Sequence, residues 1–309
     1  MNALAIDLGG SHASCAAVDE ARVLARERVS LESARGLAEA LPAIAAALRR
    51  VREAAALTPC GGVAFAFCGL VDADRGRVLS TNAKYDDAPS LDLVGWCRDA
   101  LSLPIRLEND ARMALLGEHQ AGAARGFEDV VMMTLGTGVG GAAMIGGQLL
   151  RGRHFQAGVL GGHLLADVLG RPCTCGARGC VEAEASTWAL PQLARDQPGF
   201  AQSRLATVPR LDFEALLACA DAGDALALAL RERCLRVWGA GAVSMIHAWD
   251  PELLVAGGGV MAAAGTVLPA IEAYVHAHAW TPWGKVKVRK AALGTDAALL
   301  GAVPLLSGA

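Results

Sequence analysis

The sequence predicts an α/β protein built from two similar lobes, and three observations carry that expectation. A strand order β-β-β-α-β is legible at the N-terminus and again from residue 130. Each copy has glycines between its first two strands. The 309 residues, 53% of them hydrophobic, supply apolar material for two cores. The repeat is one of pattern rather than of residues, is too long for a solenoid, and suggests lobes facing each other across a cleft.

In the first copy ALAIDL reads as a strand and Gly9–Gly10 as a turn. Ala13 to Val18 form a second strand, and a turn at Asp19–Glu20 leads into a third, giving an antiparallel meander. LESARGLAEALPAIAAALRRVREAAAL then shows Leu and Ala at helical spacing with Arg and Glu opposite, followed by the apolar strand GVAFAF. In the second copy VVMMTLG, GVGGAAMIGG and QLLRG repeat strand, glycine turn, strand, turn and strand. The helical DALALALRERCLRVWGAGAVSMIHAW then leads into the strand PELLVAGGG. The uncharged run Val130 to Leu150 is long enough for a membrane span, but its six glycines divide it into the strands of a buried hairpin. Between the copies, PIRLENDARMALLGEHQAG predicts a strand ending at Leu107 and a helix starting at Asn109–Asp110, with an aspartate in the N-cap role.

Composition narrows the function classes. Lys+Arg 28 against Asp+Glu 31 gives a net charge of −3, which offers no electrostatic footprint for nucleic acid or an anionic membrane, so small-molecule partners are expected. MNALAIDLGG has no basic n-region and meets an aspartate at position 7, so a cytoplasmic protein is expected. In that compartment nine cysteines are better kept for burial, chemistry or metal than for a disulfide framework.

Three of those cysteines fall within RPCTCGARGCVEAEAS. Cys173, Cys175 and Cys180, with His163 ten residues before the first, make a Cys3His set of the kind that closes a structural zinc site. A redox-active Cys-x-Cys pair is the rival, and the third cysteine, the glycines and the histidine favour zinc. The two glycine turns, D-L-G-G-S and L-G-T-G-V-G-G, let backbone N–H groups face a phosphate, with Ser11 or Thr137 adding a hydroxyl. Neither is a Walker loop, and neither opens a helix as a Rossmann turn does. Gly257–Gly258–Gly259, after a strand and before a helix, suits the face of a base or ribose, or simply a strand-to-helix turn. Glu108-Asn109-Asp110 gathers polar side chains where a carboxylate could act as general base on a hydroxyl.

With these pieces in place the chain resembles, from end to end, the ROK family of sugar kinases and repressors. The matching segments are DLGGS, END at 108–110, LGTGVGG at 135–141, GH at 162–163 with CTCGARGCVE at 173–182, DPELLVAGGGV at 250–260 and LGTDAALLGA at 293–302. The resemblance implies an actin-like (ribonuclease H-like) two-lobed ATPase fold, with residues 1–118 plus 297–309 as the smaller lobe and 119–296 as the larger, zinc-bearing one. It implies transfer of the γ-phosphoryl group of ATP, with Mg²⁺, to a sugar hydroxyl, in a homodimer. Asp110 would be the catalytic base, and Asn109, Glu182, His163, Asn82 and Ala66 would form the sugar site. Asp7 would lie near the Mg²⁺; Gly9, Gly10, Ser11, Thr137 and Gly138 would embrace phosphates, and Gly257 and Gly258 the adenosine. His163, Cys173, Cys175 and Cys180 would hold Zn²⁺, and the folded zinc loop would present Glu182.

Two departures from the family pattern bear on the sugar. The usual Glu-x-Gly-His reads AGVLGGH, with Val159 in the glutamate's place and one residue inserted before His163. The usual Gly-x-Pro-Gly reads Ala66-Phe67-Cys68-Gly69. An altered sugar pocket is expected, and because the phosphate turns lie elsewhere in the sequence, loss of the zinc loop is expected to spare ATP binding. The rival is a catalytically weak sugar-binding protein with a regulatory role. DNA binding is not expected, since the first strand begins near residue 3 with no basic recognition helix before it.

Overall fold

The computed structural model describes residues 1–31, 35–81 and 84–308. Contacts group the chain into two units, one of Met1–Glu128, Gly146–Val159 and Ala291–Ala309, the other of Asp129–Ile145 and Leu160–Lys290.

In the first unit β1 (Ala3–Leu8), β2 (His12–Val18) and β3 (Val23–Ser30) form the expected meander. The helix α1 (Leu37–Ala54) follows, then β4 (Val63–Phe67), which pairs parallel to β1. Completed by β7 (Ile105–Asn109), the sheet runs β3-β2-β1-β4-β7. β4 is buried along its whole length and β1 nearly so, as central strands covered on both faces require, whereas β3 alternates toward solvent at the edge. α1 turns Leu37, Leu41, Ile44, Leu48 and Val51 inward at spacings of three and four, into a core with Phe65 and Phe67. Its first turn is capped from outside, where the Asp87 carboxylate accepts the N–H groups of Leu37 and Ala38 at 2.8 Å each. A small ribbon, β5 (Gly69–Asp72) with β6 (Arg77–Thr81), and α2 (Leu93–Leu101) lie between β4 and β7 in sequence. Helix α3 (Asp110–Ala121) follows β7 directly.

In the second unit β8 (Val130–Leu135) and β9 (Val139–Ile145) form the hairpin expected of the uncharged run, closed by residues 136–138. The third strand of this copy is curtailed to β10 (Gln148–Leu149), because the carbonyls of Leu150 and Arg151 turn to the Arg112 guanidinium instead of continuing a ladder. Helices α4 (Val181–Ala185), α5 (Leu190–Arg195) and α6 (Phe213–Asp221) precede the long α7 (Ala225–Trp249). Then come β11 (Leu253–Gly257), parallel to β8, α8 (Ala264–His278) and β12 (Lys287–Lys290), so that this unit's strands run β9-β8-β11-β12. Trp238 of α7, almost fully buried against Phe213, donates from Nε1 to the Ala185 carbonyl at 2.8 Å and fixes the end of α4.

The C-terminal helices α9 (Ala297–Leu300) and α10 (Ala302–Ser307) return to the first unit. Glu118 of α3 fastens that return, its fully buried carboxylate accepting the N–H groups of Ala123 (2.7 Å), Ala292 (3.0 Å) and Leu293 (2.8 Å).

Candidate active site

Parallel register decides what meets at the end of the first sheet. Asp7 of β1 is level with Ala66 of β4, which is level with Glu108 of β7, so the next residues along the chain emerge together from the carboxyl ends of three strands. Ala66 is fully buried and supports the sheet between the two acids. β7 runs on to Asn109 rather than stopping at Leu107, and the N-cap of α3 is Asn109, not Asp110. The Asn109 Oδ1 accepts from Ala111 N (3.0 Å) and Arg112 N (3.2 Å), while its Nδ2 donates to the Gly69 carbonyl (3.1 Å) and to Asp110 Oδ1 (2.9 Å). Both donors and both lone pairs of the amide are thereby engaged, and the product is a fixed Asp110 carboxylate. Asn82 lies outside the described residues.

The polar residues that precede Asp110 are buried behind it. Glu108 accepts from Arg112 Nη1 (3.2 Å), Arg151 Nε (2.7 Å) and the Asn109 N–H (2.9 Å). Arg112, itself fully buried, donates to the carbonyls of Leu150, Arg151, Phe155 and Ala157 at 2.6–3.4 Å. Nothing in the sequence reading anticipated this network.

Burial acts on both acids, and the charge of Asp110 acts on Asp7. Asp7 is pushed up to about 6, first by burial and then by the charge of Asp110, against the pull of Arg26. Burial raises Asp110 as well, partly offset by the hydrogen bonds from Ala111 and Asn109. Burial and then Asp110 push the Cys68 thiol up to about 12, which keeps it protonated and unreactive. A buried carboxylate whose ionisation a second carboxylate opposes suits a divalent cation, so Asp7 fits a Mg²⁺ beside it. The first glycine turn is anchored nearby: Gly9 N donates to His12 O (2.9 Å), and Tyr85 Oη donates to the Gly9 carbonyl (2.9 Å). Gly10 and Ser11 are exposed.

In the second unit His163, Cys173, Cys175 and Cys180 come together with their ligand atoms all within 4.8 Å of one another. The Cys175 and Cys180 sulfurs are 3.7 Å apart, and Cys173 Sγ is 3.5 Å from His163 Nδ1. Zinc–ligand bonds of about 2.3 Å to sulfur and 2.0–2.1 Å to nitrogen give tetrahedral edges of about 3.8 and 3.5 Å, so the set fits zinc. A disulfide would need its sulfurs at about 2.05 Å, and all nine cysteines are free. The loop closes on itself through Ala166 N and Asp167 N to Gly179 O, Cys173 N to Ala177 O and Val181 N to Leu164 O.

Glu182, in the first turn of α4, extends its Oε2 to the Val139 N–H at 2.9 Å, at the end of the second glycine turn. Thr137 is exposed there and Gly138 partly so. Gly257 ends β11, and Gly258 has φ +89° with its Cα hard against the Leu135 backbone, so a side chain is excluded on both counts.

Comparison with known proteins shows the family. The ROK family model matches residues 3–309. The chain belongs to the ROK family. It is 32% identical over 251 residues to a glucokinase of Halalkalibacterium halodurans, covering 78% of this chain and 74% of that one. It is 32% identical over 270 residues to an N-acetylmannosamine kinase of Citrobacter koseri, 86% of each. A solved ROK glucokinase from Streptomyces griseus, in complex with glucose and AMPPNP, superposes with a TM-score of 0.80 at 30% identity over 99% of both chains. The actin-like ATPase fold expected of a ROK chain is therefore the fold of this one.

Proposed function

We propose that this ROK chain transfers the γ-phosphoryl group of ATP to a hydroxyl of a hexose or hexose derivative. The observation that carries the reading is Asp110, a carboxylate held by Asn109 and Ala111 at the head of α3, with an affinity for protons raised by burial. Its Oδ takes the proton of the sugar hydroxyl as that oxygen bonds to the γ-phosphorus, and the bond from phosphorus to the β,γ-bridging oxygen breaks to release ADP. A Mg²⁺ beside Asp7, when bound, neutralises charge on the phosphates. The turns at Gly9–Gly10–Ser11 and Thr137–Gly138 are assigned to phosphates, Gly257–Gly258 to the adenosine, and Glu182 and the His163 loop to the sugar. Asn109 orients Asp110 and reaches the sugar only by exchanging one of its present bonds. A coupled assay of ADP release across glucose, mannose, allose, fructose and the N-acetylhexosamines tests the reading; no turnover with any of them leaves a sugar-binding regulatory protein.

The same panel tests the altered pocket. A carboxylate bonded to a sugar hydroxyl contributes about 1.5–3 kcal/mol, roughly ten- to a hundredfold in affinity, and Val159 cannot supply it. Glucose is expected to be phosphorylated with a weak KM while another hexose is preferred. Glucose emerging as the best substrate with KM below about 0.1 mM would overturn that expectation.

One Zn²⁺ per chain is proposed on His163, Cys173, Cys175 and Cys180, supported by the tetrahedral edges. Elemental analysis of protein purified without chelator is expected to find it, and Cys175→Ser to lose it; a metal-free parent removes the assignment. A cytoplasmic homodimer is the assembly we favour, supported by the exposed Trp280 and Trp283 on the second unit, and light scattering reads it directly.

A further inference from the structure

The second glycine turn, Gly136–Thr137–Gly138, is not held in place by its own hairpin alone. The Thr187 N–H donates to the Gly136 carbonyl and the Trp188 N–H to the Thr137 carbonyl, both at 3.1 Å. Val139 is gripped at both ends of its residue: its N–H goes to Glu182 Oε2 at 2.9 Å, and its carbonyl lies so close to the Cα of Gly162 that a side chain there would collide with it. Gly162 immediately precedes the metal ligand His163, and Glu182 follows the ligand Cys180 by two residues. Gly138 completes the fit, because the Glu182 carboxylate occupies the space its side chain would need. The two ends of the zinc loop thus close on one turn.

We propose that Glu182 is a positioning residue for the phosphate-binding turn, holding the Val139 amide in place through Oε2, so that the zinc loop sets nucleotide affinity in addition to carrying its sugar contact. The inference rests on the assignment of residues 136–138 to ATP phosphates. It replaces the expectation that the zinc loop and ATP binding are independent: they are distant in sequence but hydrogen-bonded in the fold. Glu182 serves the turn with one oxygen, and the other, Oε1, lies farther from Gly138. A backbone N–H held by a carboxylate cannot swing, so the turn keeps one conformation before nucleotide arrives and the ordering cost of binding falls.

The experiment is calorimetric titration of the sugar-free, zinc-loaded protein with Mg²⁺–AMPPNP, with zinc content measured for each variant. Glu182→Gln retains an oxygen that can accept from Val139 N and is expected to bind AMPPNP within about twofold of the parent while losing glucose affinity. Glu182→Ala removes the acceptor and Glu182→Asp withdraws it by one methylene; each is expected to weaken AMPPNP about tenfold, the upper end for the loss of one hydrogen bond. Alanine and aspartate variants within twofold of the parent overturn the proposal, and leave the kinase reading intact if the parent binds both ligands. A parent that does not bind AMPPNP overturns both. Amide exchange in the parent gives a reading that needs no variant: the Val139 N–H is expected to be protected in the absence of ligand, and exchange at the rate of an open loop overturns the inference.

Discussion

Asp110→Asn is expected to lower kcat by about 10²–10⁴ while the protein becomes more stable at neutral pH. The two effects have one cause. Among the described residues the carboxylate is paired with no cation; burial opposes its charge, and Asp7 suffers from that charge in turn. Asparagine keeps an oxygen where Oδ1 accepts from Ala111 N and Asn109 Nδ2, so the head of α3 is preserved, and the N-cap is untouched because Asn109 provides it. A purely structural role predicts the opposite pair of results, a lower melting temperature with a nearly normal rate. Turnover within a few-fold of the parent, measured at saturating ATP and sugar, removes Asp110 as the base.

The sign of the pH dependence follows from the same acids. Asp7 has its proton affinity raised from 3.8 to about 6 on folding, so the stability associated with its neutral form is complete below about pH 4 and is lost as pH rises through 6. The full change amounts to roughly 3 kcal/mol, and Asp110 acts in the same direction. Urea unfolding of the ligand-free protein is therefore expected to show the parent losing stability between about pH 4 and 6.5, with a shallower loss in Asp110→Asn. Mg²⁺-nucleotide should reduce the loss by supplying positive charge. Such strain is ordinary at a reacting centre, where groups are selected for chemistry ahead of stability.

Much of the fold could be read because its signals are local. β1 and β4 are apolar runs ending in glycine or polar residues, α1 has a clear inward stripe, and the Cys3His spacing is compact enough to be recognised along the chain. What escaped was set by partners far away in sequence. Glu108 and Asn109 look like loop residues, yet they finish a strand, because Arg112 and Arg151 neutralise and bond the one while Gly69 and the first turn of α3 bond the other. The strand expected over QLLRG is short because its carbonyls have a better-placed donor in Arg112. The bond from Val139 N to Glu182 joins residues 43 apart, and no periodicity reports it. Asn109 shows the limit from the other side: its place in the END motif was visible, but the saturation of its amide by local bonds was not.

Arg112→Met is expected to destabilise the protein by about 3–5 kcal/mol, the usual consequence of removing one member of a buried ion pair. The guanidinium is fully buried, and methionine fills much of its volume without its donors. Glu108 would keep Arg151 and the Asn109 N–H but lose the bond at Oε1 from Arg112, and the carbonyls of Leu150, Arg151, Phe155 and Ala157 would lose a shared donor. Arg112→Lys should recover little, since one ammonium cannot reach both Glu108, as Nη1 does, and the carbonyls grouped around Nη2. The double variant Glu108→Leu/Arg112→Met also takes the acceptor from Arg151 Nε and from the Asn109 N–H, so its stability should fall to or below that of Arg112→Met alone. Loss of the clamp on residues 150–157, two positions ahead of Val159, should also raise the KM for sugar more than it lowers kcat. A loss below about 1 kcal/mol in Arg112→Met, read by urea unfolding, would mean that water or a rearranged loop satisfies these groups and that the buried network is not what holds the segment in place.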